Sequence, residues 1–291
     1  MFPVIGQVTL FVIPGIIAAV TKGIEFKRLA STLSLTALSG CLIFLFLGLG
    51  ESFLILTQTS ALSFLLMFAL HQKCTGAHAL LAGFLTLALI FFLMVGAGAD
   101  GDLLSAYAKI KDQVSQTLES NAMFYKDAMT QTDTLKFEVL LKELRDFILF
   151  FLPGLMGITF IFISFFNVLM AKRFVRQVDE VFPPTFSLWK LPYNLIWLAI
   201  LSGALSLFTK GTLNLLGYNC LLILASLYFI QGCSIILFYF NKYQVPRFVR
   251  IIIYILISLH WYGLLMVAFT GLADVWFQLR AKAEPVESNP S

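Results

Sequence analysis

Long apolar runs recur along most of this sequence and set the strongest limit on how the chain can fold. An α-helix needs about 20 consecutive apolar residues to cross a hydrocarbon core of about 30 Å. Runs near that length cover about residues 3–20, 31–49, 53–71, 77–98, 147–170, 191–208, 213–240 and 251–276. The sequence therefore predicts an all-α bundle of about eight transmembrane helices, with residues 1–291 as one integral membrane domain.

Composition supports a membrane protein over a soluble one. Hydrophobic residues make up 59% of the chain and charged residues 12%, whereas soluble domains are about 45–50% apolar and about 25% charged. The lipid bilayer is thus the expected partner of most of the surface. The net charge of +4 follows from the threading described next, so we predict no nucleic-acid partner.

Basic residues predict the orientation of the chain, because cytoplasmic loops are enriched in Lys and Arg. One set of alternate loops carries eleven of them: Lys22, Lys27, Arg28, Lys73, Lys172, Arg173, Arg176, Lys190, Lys242, Arg247 and Arg250. We therefore predict a multi-pass protein of the bacterial inner (plasma) membrane with these loops in the cytoplasm. Both termini, including Arg280, and residues 100–146 are then predicted to lie outside.

The segment 100–146 is the one long extramembrane insertion. Its apolar residues recur at helical spacing in two stripes: Leu103, Tyr107, Ile110, Val114 and Leu118, then Phe137, Leu140, Leu141 and Leu144. One interpretation is a pair of interfacial helices that rest on lipid or on the bundle. The other is a lid over an outward-facing cavity. The first is preferred, because amphipathic helices are common.

Enzyme signatures are missing from the sequence. It has no GxSxG, HExxH or GxxxxGK[ST] motif and no aspartate near the centre of a predicted span. We therefore predict a protein that is not an enzyme, with no catalytic residues and no cofactor. His71, Cys74 and His78 in "HQKCTGAH" have metal-ligand side chains, but no fourth ligand is apparent. A turn is preferred, and no metal site is predicted.

Two features concern helix packing. Gly15, Ala19 and Gly23 follow one another at four-residue steps, and such small faces let helices approach closely. They could dock a partner, although packing inside the bundle is the preferred interpretation. Pro153 and Gly154 predict a kink in the fifth span, because proline removes a backbone hydrogen bond.

The candidate binding site lies near the predicted membrane midplane. Gln231 precedes the cytoplasmic end of its span by ten residues, and His260 follows the start of the next span by ten. Both are therefore about 15 Å deep at a rise of about 1.5 Å per residue. The two side chains could bond each other, a contact worth about 1 kcal/mol or less, or they could bind a ligand. Gly232 would allow a close helix contact beside the amide. The full candidate set is Gln231, His260, Trp261, Tyr262, Asn219 and Asp274, the last two expected near the outer mouth.

Several of these segments together resemble a known family. "FLPGLMG" followed by Asn167, "WKLP" at 189–192, "YFIQGCSIILFYF" and "GLADVWFQLR" are similar to segments of the YybS-like family of bacterial membrane proteins (domain of unknown function 2232). The resemblance covers most of the chain. Members of that family usually begin with one more span, and a helix ahead of Met1-Phe2-Pro3 would explain an N-terminus outside.

The resemblance implies a fold similar to the S components of energy-coupling-factor vitamin transporters. It therefore implies a vitamin-like small-molecule binding or transport subunit, with Gly15, Ala19 and Gly23 standing nearest to the docking face of such subunits. The predicted spans lack an acid for ion coupling, which favours energy from another membrane protein. The alternative is a membrane scaffold that binds other proteins and no ligand.

Overall fold

The described part of the chain is helical throughout. The computed structural model describes residues 10–18, 50–97, 103–126, 131–174 and 185–280, and within these ranges there is no strand. The helices are α1 (10–18), α2 (Gly50–His71), α3 (Gly76–Ala97), α4 (Leu103–Lys126), α5 (Gln131–Phe174), α6 (Leu195–Phe208), α7 (Thr212–Lys242), α8 (Arg247–Leu259) and α9 (Trp261–Phe277). A 3₁₀ turn spans Phe186–Leu188. The all-α prediction is confirmed. The predicted span 31–49, Ala19 and Gly23 lie outside the described residues.

In the described ranges, fewer helices are long and apolar enough to cross a membrane than the apolar runs predicted. Among the described residues, three stretches are long and apolar enough: Gly76–Leu93 in α3, Lys136–Phe174 in α5 and Thr212–Lys242 in α7. The α8–α9 pair would make a fourth crossing if it counts as one. Ile55–His71 and Leu195–Phe208 are shorter apolar helices. Several membrane-embedded helices are thus present, and the count of about eight is not confirmed.

Helix α7 packs closely against two neighbours because glycines lie at the contacts. A Cβ added at Gly217 would come within 2.6 Å of the backbone nitrogen of Ser206 on α6. A Cβ at Gly232 would meet the Val267 carbonyl on α9, and one at Gly271 would meet the Tyr228 carbonyl on α7. Such close backbone contacts are how membrane helices pack without a hydrophobic driving force. The close helix contact predicted at Gly232 is confirmed.

This contact predicts a stability effect at Gly271. Gly271→Ala would push a methyl group into backbone atoms of α7, so we expect a loss of about 1–3 kcal/mol, as for other overpacked sites. Gly203→Ala on α6 is the matched control, because nothing lies within 4 Å of its Cβ position. That control should be neutral or gain up to about 1 kcal/mol from helix propensity. Unfolding of both variants in mixed detergent micelles measures the difference, and equal stabilities would contradict the packing.

The last two helices form a bent pair instead of one straight crossing. The backbone of His260 is extended (φ −119°, ψ 127°), which ends α8, and α9 leaves at a bend of 108°. Both ends of the pair are tied to the C-terminal part of α7. Nη1 of Arg250 donates to Oδ1 of Asn241 at 2.8 Å, and the Tyr239 hydroxyl donates to the Leu279 carbonyl at 2.9 Å. The predicted span 251–276 is therefore interrupted at His260.

The bend moves the end of α9 to a position that the sequence did not predict. Arg280 was assigned to the face opposite Lys190, but its Nη1 donates to the carbonyl of the adjacent residue, Trp189, at 2.7 Å. Asp274 likewise lies beside Gln231 and away from an outer mouth. Both assignments assumed a straight helix after residue 250. The prediction that Arg280 and Lys190 lie on opposite faces is therefore wrong.

The segment 100–146 contains two helices, as its two stripes predicted. Helix α4 carries the first stripe, and the second lies on the N-terminal part of α5, which continues without interruption into the predicted fifth span. The Arg145 guanidinium on α5 is 3.2 Å from the Glu119 carboxylate on α4. Because both side chains are partly exposed, this ion pair contributes at most about 1 kcal/mol. The contact nevertheless shows that α4 lies beside α5 at this point.

Candidate functional site

Pro153 interrupts the backbone hydrogen bonding of α5, and this position, called the Pro153 kink below, is bridged by a side chain from α7. In a regular helix the Gly154 N–H would donate to the Phe150 carbonyl. Here the Gly154 N–H donates to Oδ1 of Asn219 at 2.7 Å, and Nδ2 of Asn219 donates to the Phe150 carbonyl at 3.0 Å. Nδ2 also donates to Leu215 on its own helix at 2.8 Å. The inserted amide therefore satisfies backbone groups that would otherwise lack partners in an apolar interior.

Pro14 of α1 has a similar arrangement, except that the bridged carbonyl lies four residues before the proline instead of three. The Gly15 N–H of α1 donates to Oδ1 of Asn167 at 2.8 Å. Nδ2 of Asn167 donates to the Leu10 carbonyl at 2.8 Å and to Ile163 on its own helix at 2.9 Å. Leu10 lies four residues before Pro14, so its carbonyl has no helical N–H to accept. Each Pro-Gly pair is thus bridged by a buried asparagine of another helix.

A cavity of about 280 Å³ lies beside the Pro153 kink. Four helices border it, it is partly open to the surface, and its walls are almost wholly apolar. The lining residues are Phe84, Ala88, Phe91 and Phe92 of α3, Tyr107 and Ile110 of α4, Pro153, Met156, Gly157 and Phe160 of α5, and Thr212, Leu215, Leu216, Asn219, Cys220 and Ile223 of α7. Ligand pockets are commonly about 300–1,000 Å³ and mainly apolar. The cavity therefore has the size and character of a small ligand site.

Helix α4 closes one side of this cavity. The Tyr107 hydroxyl donates to the Leu149 carbonyl at 3.4 Å, which is the carbonyl that loses its helical donor to Pro153. Burial raises the pKa of the Tyr107 phenol above its ordinary value, so the hydroxyl keeps its proton and remains a donor at neutral pH. The contact of α4 with α5 fits both interpretations of this segment, an interfacial helix that rests on the bundle and a lid.

The predicted midplane amide belongs to a separate buried polar cluster. Gln231 is 5% exposed, and its Nε2 donates to Oδ2 of Asp274 at 3.1 Å. Its Oε1 accepts from the Leu191 N–H at 3.1 Å. The space beside it measures about 10 Å³, about what one water molecule needs. Gln231 thus connects α7, α9 and the loop before α6, and no ligand-sized space adjoins it in the described structure.

The centre of that cluster is a buried ion pair. Nη2 of Arg280 is 2.6 Å from Oδ2 of Asp274, and the two side chains are 3% and 2% exposed. Nη1 of Arg280 also donates to the carbonyls of Ser187 and Trp189 and to the Ser234 hydroxyl, at 2.7–3.3 Å. These contacts fix the end of α9 against α7 and the 3₁₀ turn. The pair therefore acts as a structural clamp.

His260, Trp261 and Tyr262 do not join the cluster as the sequence predicted. All three are exposed, and the two rings lie 3.7 Å apart at their centroids beside the bend. The predicted Gln231–His260 contact is wrong: Gln231 bonds Asp274 and Leu191, and His260 marks the break between α8 and α9. The reason is again the bend, because matched depth was inferred for two straight helices. Of the six predicted residues, only Asn219 lines the cavity.

The other sequence features have structural roles in the described residues. A Cβ at Gly15 would meet the carbonyl of Asn167, which places this glycine in packing between α1 and α5. Thr75 Oγ1 is 2.6 Å from Nδ1 of His78 and accepts from the His78 N–H at 3.3 Å, at the start of α3. The described ranges contain no group of three or more His, Cys, Asp or Glu side chains able to bind a metal.

Sequence reasoning missed the role of Asn167 and the position of the cavity. A signal for the first was present: "FVIPGII" at 11–17 and "FFLPGLM" at 150–156 are similar apolar runs with Pro-Gly at the same place. In membrane proteins, interrupted apolar segments in corresponding positions point to a binding site. That comparison would have directed attention to both kinks and their buried amide partners.

Comparison with known proteins agrees with the membrane fold. The model of the family described as "Predicted membrane protein (DUF2232)" matches residues 1–275. A protein of Bacillus subtilis (strain 168) described as "Uncharacterized protein YybS" is 25% identical over 291 residues, covering 97% of this chain and 91% of that protein. No solved structure matches.

Proposed function

We propose that this chain, which belongs to the DUF2232 family of predicted membrane proteins, binds a small molecule in the cavity beside Pro153. The observation that carries the proposal is a partly open cavity of about 280 Å³ between α3, α4, α5 and α7. It lies beside Pro153, where proline interrupts the hydrogen bonding inside α5, and transporters often place their ligands at interrupted helices. It also lies against α4, whose Tyr107 and Ile110 form part of the wall.

The binding residues in this proposal differ from those predicted at the midplane. Asn219 is retained, because it lines the cavity and seals the kink. Gln231 and Asp274 are assigned to the clamp, since their polar atoms face each other and the backbone. His260, Trp261 and Tyr262 are exposed at the bend. The ligand site therefore moves from α7–α9 to the other side of α7.

We propose that this binding serves transport. The family resemblance of the sequence is confirmed, and the likeness to vitamin-binding S components stays a prediction. The protein is then a non-catalytic, multi-pass subunit of the inner membrane. Helices α3 and α7 contain no acidic residue, and Asp274 of α9 is paired with Arg280, so none of these three helices offers a free acid for ion coupling. The proposal therefore includes a partner membrane protein that supplies energy.

Ligand retention tests this function. The protein is purified gently, and small molecules released on denaturation are measured by mass spectrometry for the wild type, Ala88→Phe and Ala108→Phe. Ala88 lines the cavity, whereas Ala108 is exposed on α4. A specific molecule should be retained by the wild type and Ala108→Phe and lost from Ala88→Phe, because the added ring fills the cavity.

The scaffold alternative predicts a different result. A wild-type protein that is reproducibly empty but copurifies with a protein partner in fixed ratio would contradict the binding proposal. Equal retention by Ala88→Phe and the wild type would contradict the assignment of the ligand to this cavity.

A further inference from the structure

The chemistry of the cavity wall narrows the class of ligand. Tyr107, Thr212 and Asn219 are the lining residues with a side-chain oxygen or nitrogen. The Tyr107 hydroxyl donates to Leu149. Both amide hydrogens of Asn219 are used by backbone carbonyls, and its Oδ1 already accepts the Gly154 N–H. Two of the three polar groups are thus committed to repairing the kink.

A polar ligand would therefore lose water and gain few partners, since Thr212 is the one polar lining side chain left uncommitted. Each donor or acceptor left unsatisfied after burial costs about 1–3 kcal/mol. A vitamin-like molecule with several such groups would incur this cost for each of them. A hydrocarbon chain has no donor or acceptor to leave unsatisfied, and it gains dispersion contacts with the phenylalanine rings of α3 and α5.

Charged groups are excluded from the cavity as well. None of its lining residues is Asp, Glu, Lys, Arg or His. The cation placed by contact near its wall is Lys111, whose Nζ lies 5.2 Å from the centroid of the Tyr107 ring. A charged or strongly polar end of the ligand would keep its hydration only outside the wall.

We propose that the occupant is a single hydrocarbon chain of an amphiphile, with its polar end outside the cavity. This inference rests on the proposed function and names the chemical class of its ligand. The chain can come from a free amphiphile such as a fatty acid or from a phospholipid of the bilayer. Both sources present the same chemistry to the cavity.

Photolabelling in vesicles tests the inference. The full chain is reconstituted in phosphatidylethanolamine–phosphatidylglycerol vesicles that contain a trace of palmitic acid with a diazirine midway along its chain. A second arm carries the same diazirine chain in phosphatidylglycerol. After illumination, labelled peptides are mapped by mass spectrometry. The arm that labels the cavity residues of α5 and α7 identifies the source of the chain.

Two variants that fill the cavity, called plug variants, and two controls show whether the labelling comes from the cavity. Ala88→Phe and Cys220→Phe fill the cavity from different helices, and Ala108→Phe is the matched control. We expect cavity labelling to fall about tenfold in both plugs, equivalent to about 1.4 kcal/mol of binding free energy, and to persist in Ala108→Phe. Labelling at Leu207 and Phe208, which are 75% and 85% exposed, reports the surrounding lipid and should not change.

The outcomes separate this inference from the proposed function. Cavity labelling that the plugs do not reduce would overturn the inference. A retained polar molecule, displaced by Ala88→Phe while chain labelling is absent, would overturn the inference and leave the proposed function standing. No retained molecule and no cavity labelling would overturn both.

Discussion

Arg280→Met is expected to lower the free energy of unfolding by about 3–5 kcal/mol, because it leaves the Asp274 carboxylate buried without a counter-charge. Asp274 is 3% exposed, and Gln231 would remain its one hydrogen-bond donor in the described structure. The same change removes the donor to the carbonyls of Ser187 and Trp189. Denaturation in mixed detergent micelles measures the loss, and cysteine accessibility at the end of α9 reports its release.

Two further variants show whether the buried charge is the cause. The double variant Arg280→Met with Asp274→Leu should regain most of the lost stability, since replacing both members of a buried pair by apolar residues is often neutral. Arg247→Met removes an exposed arginine and should change stability by no more than about 0.5 kcal/mol. A double variant as unstable as Arg280→Met alone would contradict the explanation.

Asn219→Leu is expected to cost about 2–4 kcal/mol, because it removes the partners of the Gly154 N–H and the Phe150 carbonyl at about 1–3 kcal/mol for each buried group. The loss should depend on Pro153. In a Pro153→Ala background α5 can close its own hydrogen bonds, so the same substitution should cost less. The difference between the two backgrounds should be about 1–3 kcal/mol, the range for residues in one network.

The Pro14 kink provides an independent copy of this experiment. Asn167→Leu should be destabilising in the wild type and less so with Pro14→Ala, because Asn167 serves α1 as Asn219 serves α5. Asn167 does not line the cavity. Its double-mutant cycle with Pro14 therefore measures only the effect on the backbone hydrogen bonds. Additive effects in both cycles would mean that the asparagines do not act through the prolines.

The helices were predictable from the sequence because each depends on local composition. The predicted spans 53–71, 77–98 and 213–240 correspond to helices Gly50–His71, Gly76–Ala97 and Thr212–Lys242. The burial of Gln231 followed from the cost of showing an amide to lipid. The close contact at Gly232 followed from its missing side chain.

The bend and its consequences could not be predicted in the same way. No proline marks the break at His260, and "SLHWYG" remains apolar enough to continue a helix. Arg280 reaches Asp274 only because the chain turns at Gln278, whose φ is 43°. The cavity is a property of four helices packed together, and no single segment encodes it. Depth estimates that treated each helix as straight therefore paired Gln231 with His260. In the structure Gln231 bonds Asp274 instead.

The asparagine bridges also have a consequence for synthesis. The bonds of Asn167 to Gly15 and Leu10 join residues 152 and 157 positions apart, and those of Asn219 reach back 65 and 69 positions. At about 5–20 residues per second, the ribosome needs roughly 8–30 s to add 152 residues. During that interval α1 carries an open carbonyl and amide, each costing several kcal/mol in lipid. We therefore expect the nascent α1 to remain in contact with the insertion machinery until α5 is synthesised. The asparagine bridges would then form in the order in which their helices are synthesised.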